Sequence, residues 1–448
     1  MSTIVIRNVQ TPDGSPVSFP NGIRIGSATS AGTINHIGVP GQQGFGVGIA
    51  PSLPSGMVKL AGTEDPASDN YGNYQYSDGS VMCYIPAFFY KYGTGSNGLA
   101  VNVVDIKPFS AYDSVSAANA AGYALHRAFY NGGSIRPGFF VDKYLVSKNG
   151  SVASSIKNGV VLTSATRGGL ANSPFSSVGQ ADAFWGAIGV ARTRGAAFHP
   201  KTMFQNAALA LLANAHASAS TSAAFCAWYS SGSTNFPKGN NNNALGDVND
   251  ASIAYVWDGN TTYAGCGRTG SANFLAKTAH NGQNCGVVDL NGLVWEIMPF
   301  GLTSNGTDYF LLNTAADVTA MTAGNTLATD AWGATGLAAL YTNIGATYGA
   351  LTASNSNKVF GNASQVLSEA TSGTAWAMAG AGIPLATGVG GSNQFGSDYM
   401  YDARPNELCP MSGAHWDTSS LAGVWALDCG SVRGLSNGYC GVRSALYL

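Results

Sequence analysis

The sequence predicts an α+β fold in which aromatic-rich strands and one long helix build a core and long polar loops emerge from it. Three observations carry this. Residues 81–92 (VMCYIPAFFYKY) and 138–146 (GFFVDKYLV) are β-prone apolar and aromatic runs. Thr202 stands three residues before Gln205 as a capping box, and Phe204, Ala207, Ala208, Leu211, Leu212 and Ala215 then recur at helical spacing. Residues 216–285 and 311–400 are rich in Gly, Ser, Thr, Asn and Ala and hold few apolar runs.

In chain order, residues 1–55 come first as a small β-rich N-terminal arm. Ile4-Val5-Ile6 and Ile23-Arg24-Ile25 are short strand-like pieces set apart by the turn signals Pro-Asp-Gly (12–14) and Pro-Asn-Gly (20–22). The Gly-rich stretch 38–48 cannot form a core alone, so the arm is expected to attach or trimerise by ordering against partners. One large domain is expected over 56–448. Its two aromatic runs are read as core strands of a single sheet. A weaker helix is read over 181–190 with Phe184 and Trp185 facing inward, and the helix after Thr202 is read as burying one face. Trp228, Tyr255, Trp257, Tyr341, Tyr348 and Trp376 argue that the polar loops pack.

Composition excludes several functions. Charged residues are 10% of 448, against roughly 25% in an average soluble domain, so the surface is largely neutral and polar. The 21 basic and 23 acidic residues are dispersed. No basic cluster marks a nucleic acid or an anionic membrane surface. No apolar run reaches the ~18–20 residues of a membrane span. The N-terminus shows no basic region followed by an apolar core, so no signal peptide is read and synthesis is expected in the cytoplasm.

Seven cysteines occur without a C-x-x-C pair, and they are read as buried thiols. Cys429 and Cys440 are close enough in sequence to pair, although a cytosolic product keeps them reduced. The six histidines show no metal-ligand spacing, so neither metal nor cofactor is expected. Asp289 and Glu296 are the best-placed carboxylate pair for catalysis. The simpler reading is an acidic side chain holding a loop beside a core Trp. No catalytic residue is assigned.

Residues 286–297 (GVVDLNGLVWEI) resemble the G-N-V-W-E-W signature of the formylglycine-generating-enzyme family. Other stations follow in the same order: 54–58 (PSGMV) as an opening strand, 138–146 as the F-x-I-D-K-Y-x-V strand, and 440–443 (CGVR) as the closing G-F-R. The resemblance spans 54–448 and implies a C-type-lectin-like fold with long polar loops. The enzyme branch carries a C-x-x-S-Y-C context, which this chain lacks.

Residues 413–427 (GAHWDTSSLAGVWAL) resemble instead the variable region of retroelement-diversified proteins, a group that includes receptor-binding proteins of phage tail fibres. Residues 426–440 contain none of the five types (Lys, Glu, Gln, Met, Trp) that adenine-directed change of AAC or AAT codons cannot produce.

The resemblance implies a virion adhesin, commonly trimeric, at a tail-fibre tip. Its partners would be a host cell-surface receptor, protein or glycan, and other tail proteins reached through the N-terminal arm. The candidate ligand-binding residues within 413–443 are His415, Asp417, Leu421, Asp428, Gly430, Arg433, Leu435, Asn437 and Tyr439. They mix charge, apolar and aromatic character without period. Tyr439 and Arg433 are the expected anchors. Trp416, Trp425 and Leu427 are assigned to the core beneath. The competing expectations are a formylglycine-generating-type enzyme and a surface-displayed bacterial lectin.

Overall fold

The long aromatic run divides at its proline. Val81–Pro86 pairs antiparallel with Gly138–Asp142, from Met82 opposite Asp142 to Pro86 opposite Gly138. Pro86 has no N–H to extend the ladder, and Phe88–Tyr92 turns away to pair with Val104–Pro108 and Ala124–Leu125. The expectation of one sheet for both runs is therefore corrected: half of the first run lies in a second, smaller sheet. The 138–146 run likewise ends as a strand at Asp142, and Val146–Asn149 forms a separate hairpin with Val152–Ser155.

In this computed structural model residues 32–231, 236–321, 337–361, 363–390 and 394–448 are described. Two six-stranded sheets dominate them, and the architecture is α+β. The first runs in the order Met57–Lys59, Asn73–Tyr76, Val81–Pro86, Gly138–Asp142, Ser444–Tyr447, His199–Pro200, antiparallel throughout. Phe139, Phe140 and Val141 are all fully buried, so both faces of this sheet are covered. The second sheet is mixed, in the order Ser356–Val359, Tyr399–Asp402, Gly423–Cys429, Met411–Gly413, Trp295–Ile297, Cys440–Gly441.

The helix begins where the capping box places it and spans Met203–Ala219. Thr202 Oγ1 accepts from Gln205 N (3.1 Å), and Gln205 Oε1 accepts from Thr202 N (2.9 Å). It is buried from Met203 to Ala217 on every side, where one buried face was expected. The alanines allow this, because small side chains let neighbours approach all round. Leu211 and Leu212 each contribute about 1.5–3 kcal/mol by leaving water. The helix packs on Val104–Pro108 and on Gly423–Cys429, the central strand of the second sheet. The weaker helix runs over Gly186–Arg192, later than read; Phe184 is buried before it, while Trp185 is only half-buried.

Within residues 32–55, several side chains pack into the core. Ile37, Phe45, Val47 and Ile49 are at most 2% exposed within the main core. Phe45 stacks on His216 of the helix (5.3 Å, 7° between planes). Glycine makes this docking possible: Gly46 sits at φ +87°, and a Cβ there would lie 2.8 Å from His280 Nε2. The strand-like pieces at 4–6 and 23–25 lie outside the described residues.

Candidate binding site

The site stands on the strand pair that carries the W-E motif. Alternation along Trp295–Ile297 sends adjacent side chains to opposite faces. Trp295 turns toward the closing segment and meets Tyr399 (6.2 Å) and His415 (6.4 Å) edge-on. Glu296 turns into the interior. Its carboxylate accepts from Arg443 Nη2 (3.0 Å) and Nε (3.1 Å) and from Lys201 Nζ (2.6 Å). Arg443 also donates to the carbonyls of Asp142, Lys143 and Val288, which joins the two sheets.

Over this frame the ends of the closing segment meet. The rings of His415 and Tyr439 stack at 4.7 Å with 25° between planes. Tyr439 C=O accepts from Trp295 N (2.9 Å), and Cys440–Gly441 pairs parallel with Trp295–Ile297, so the backbone is fixed there. His415 Nδ1 lies 3.0 Å from Asp417 Oδ1, whose side chain is 49% exposed. Burial lowers the His415 pKa, with Asp417 opposing it. Burial raises the Tyr439 hydroxyl, and the negative fields of Asp428 and Asp417 add to this.

The nine residues proposed from the sequence divide into three groups. His415, Asp417, Leu421, Leu435, Asn437 and Tyr439 are exposed or half-buried. Leu421, Leu435 and Tyr439 flank one apolar cluster that includes Trp295 and Tyr399. Asn437 is held by Ser164, whose hydroxyl accepts from its N–H (3.0 Å).

Asp428 and Gly430 form a turn. Asp428 Oδ1 accepts from Gly430 N (2.7 Å) and Oδ2 from Ser431 Oγ (2.8 Å). A Cβ on Gly430 would lie 2.4 Å from the Tyr401 ring, so that position supports and does not present.

Arg433 corrects the expectation of a presented anchor. It is 3% exposed, its Nη2 lies 3.4 Å from Thr303 Oγ1, and its backbone N–H donates to Glu407 C=O (3.1 Å). Its guanidinium meets the strand Leu302–Ser304, far from it in the chain. Trp416, Trp425 and Leu427 are core at 2% exposure. Sequence reasoning missed Tyr263, which is 43% exposed and tilts over Trp416 at 5.4 Å. It lies in the unperiodic 216–285 stretch, where only its aromatic character marks it.

The carboxylate pair serves the structure. Asp289 is 2% exposed at φ +60°, and its Oδ2 accepts from Gly270 N (2.5 Å). Burial pushes its pKa up to about 6. Burial also works against ionised Glu296, but Arg443 and Lys201 more than offset this and hold its carboxyl below the usual range. Cys429 and Cys440 are free and buried, on strands of the second sheet with two others between them, and burial raises their thiols well above the usual range. Among the described residues no three His, Cys, Asp or Glu side chains gather as metal ligands would, and no helix is long and apolar enough to cross a membrane.

No protein-family model matches the chain, and no curated protein matches it. Among solved structures it is similar to three variants of Major Tropism Determinant, each at 12% identity. The U1 variant overlaps 89% of this chain and 73% of its own at a TM-score of 0.29. The M1 variant overlaps 82% and 63% at 0.28, and the P3c variant 89% and 73% at 0.27. Overlap this loose carries no argument, and the α+β architecture stands on its own residues.

Proposed function

We propose that this chain is a receptor-binding protein of a phage tail fibre, recognising a host-surface ligand through its closing segment on a C-type-lectin-type scaffold of the formylglycine-generating-enzyme kind. One observation carries the reading. His415 and Tyr439, from opposite ends of the segment, stack on each other above a buried frame while chemically mixed side chains stand between and around them. A fixed frame lowers the ordering cost of binding. It also suits a segment diversified by a retroelement, since side chains change while the path stays.

The working face is His415, Asp417, Leu421, Leu435, Asn437 and Tyr439, extended by Tyr263. Binding without catalysis is part of this proposal, as are a trimeric assembly and attachment to other tail proteins through the N-terminal arm, residues 1–55. Several trimers on one particle would raise avidity by ~10²–10⁴ where geometry permits.

The test is capture of bacterial cells from a strain panel by the immobilised full chain. Capture of some strain is expected, with loss in Tyr439→Ala and Asp417→Ala at unchanged melting temperature. Capture that survives both substitutions would overturn the assignment of the segment.

A further inference from the structure

A second site lies away from the closing segment. A cavity of about 490 Å³ opens beside the first sheet and is lined by no residue of 413–443. That size falls within the roughly 300–1,000 Å³ of small-molecule sites. Three of its lining residues are lysines, Lys143, Lys157 and Lys277, in a chain with 21 basic residues among 448.

The three differ in what they can offer. Lys277 is neutralised by Asp250 (2.8 Å). Lys143, only 3% exposed, donates to Asn73 Oδ1 (2.6 Å) and to the carbonyls of Asn284 (2.5 Å) and Asp69 (3.4 Å). Its N–H bonds are taken, yet it forms no ion pair among the described residues. Lys157 is exposed and makes neither hydrogen bond nor ion pair among them. Asp69 is the one carboxylate lining the cavity. Burial lowers the Lys143 pKa, Cys83, Cys285 and Asp69 work against this, and the charge of Lys157 adds a last, smaller lowering. An anion between the two ammoniums would be attracted by both. Phe274, 52% exposed, lines the same cavity and offers an apolar ring face.

We propose that this cavity binds an acidic sugar, its carboxylate or phosphate held between Lys143 and Lys157 and its ring laid against Phe274. Lys143 acts by charge and Lys157 supplies the hydrogen bonds. The site shares no residue with the receptor-binding face, so the two readings stand or fall separately.

The test is ligand-observed NMR on the full chain at low salt with glucuronate, glucose 6-phosphate and glucose. At least one acidic sugar should bind, and which one does distinguishes carboxylate from phosphate. Glucose should not bind. Lys157→Gln should weaken binding by about tenfold, Lys157→Arg should largely retain it, and Phe274→Ala should weaken it. Both positions are exposed, and melting curves confirm the fold of each variant. Tyr439→Ala should leave the acidic sugar bound, whatever becomes of cell capture. Equal binding of glucose, failure of both acidic sugars, or indifference to Lys157→Gln overturns the proposal.

Discussion

The ionic centre around Glu296 and the aromatic surface around Tyr439 meet on a single short strand and are built to opposite rules. At Glu296 both carboxylate oxygens are matched by Arg443 and Lys201, each about 1% exposed or less at its side chain. At Tyr439 the ring rests on His415 by stacking, and the residue is half-buried. The contrast teaches which residues of the sequence motifs are interchangeable. Replacing one member of a closed ionic set strands the others in a low-dielectric interior. Replacing a half-exposed ring leaves no such orphan, so side chains there can vary while the fold persists.

That contrast can be broken or sharpened by four measurements. The largest effect is expected from Arg443→Met, which leaves Glu296 and three buried carbonyls without their guanidinium. It should cost about 3–5 kcal/mol by denaturant titration. A loss below about 1 kcal/mol would mean the centre is not closed.

Acid gives the next effect. His280 Nδ1 accepts from Val287 N–H and its Nε2 donates to Gly46 C=O, so the fold needs it neutral. Burial lowers its pKa to about 4. For a histidine depressed in the folded state, the stabilising contribution is complete above the unfolded value near 6.5. It is lost as pH falls from there toward 4. Relative to His280→Gln, the wild-type chain should lose about 2 kcal/mol more between pH 7 and pH 5. Parallel stability curves for the two proteins would count against the neutral imidazole.

Thr202→Ala removes the acceptor for Gln205 N–H and half of the capping box. About 1 kcal/mol is expected by the same titration. This calibrates the interior with a neutral hydrogen bond against the charged one. Smallest is Asp417→Asn at the surface, expected within about 0.5 kcal/mol of wild type, with cell capture reduced. If its effect on stability matched that of Thr202→Ala, the segment would be part of the packing and not its display.

The helix was legible because its signals are local: a cap, its partner three residues on, and a periodic apolar series. The paired run at 138–142 was legible for the same reason, and so was the core status of Trp416 and Trp425 within the closing motif. The sheet change at Pro86 was only half legible, since proline marks an interruption but not the partner the chain finds next. Arg433 could not be placed from sequence. A charged residue in a polar stretch reads as exposed, and its partners, Thr303 on the strand Leu302–Ser304 and the backbone carbonyl of Glu407, are distant in sequence. The Gly-rich stretch at 38–48 failed similarly, because Phe45 becomes core only against His216 and the glycines only through the approach of His280. Long-range contact decides these cases, and single-sequence patterns carry no record of it.

Ser444–Tyr447 fills the gap between Gly138–Asp142 and His199–Pro200 in the first sheet. Arg443 Nη1, just before it, reaches a carbonyl 301 positions earlier in the chain. During synthesis the early strands must therefore wait, with one side unpaired, until that late segment appears. Pairing over such separations is slow and leaves edges open to wrong partners. The same delay acts as a checkpoint. A chain that has closed its first sheet has Arg443 at Glu296 and Cys440 beside Trp295, so completion of the core and display of the proposed binding face arrive as one event. A chain cut short before Ser444 should offer neither.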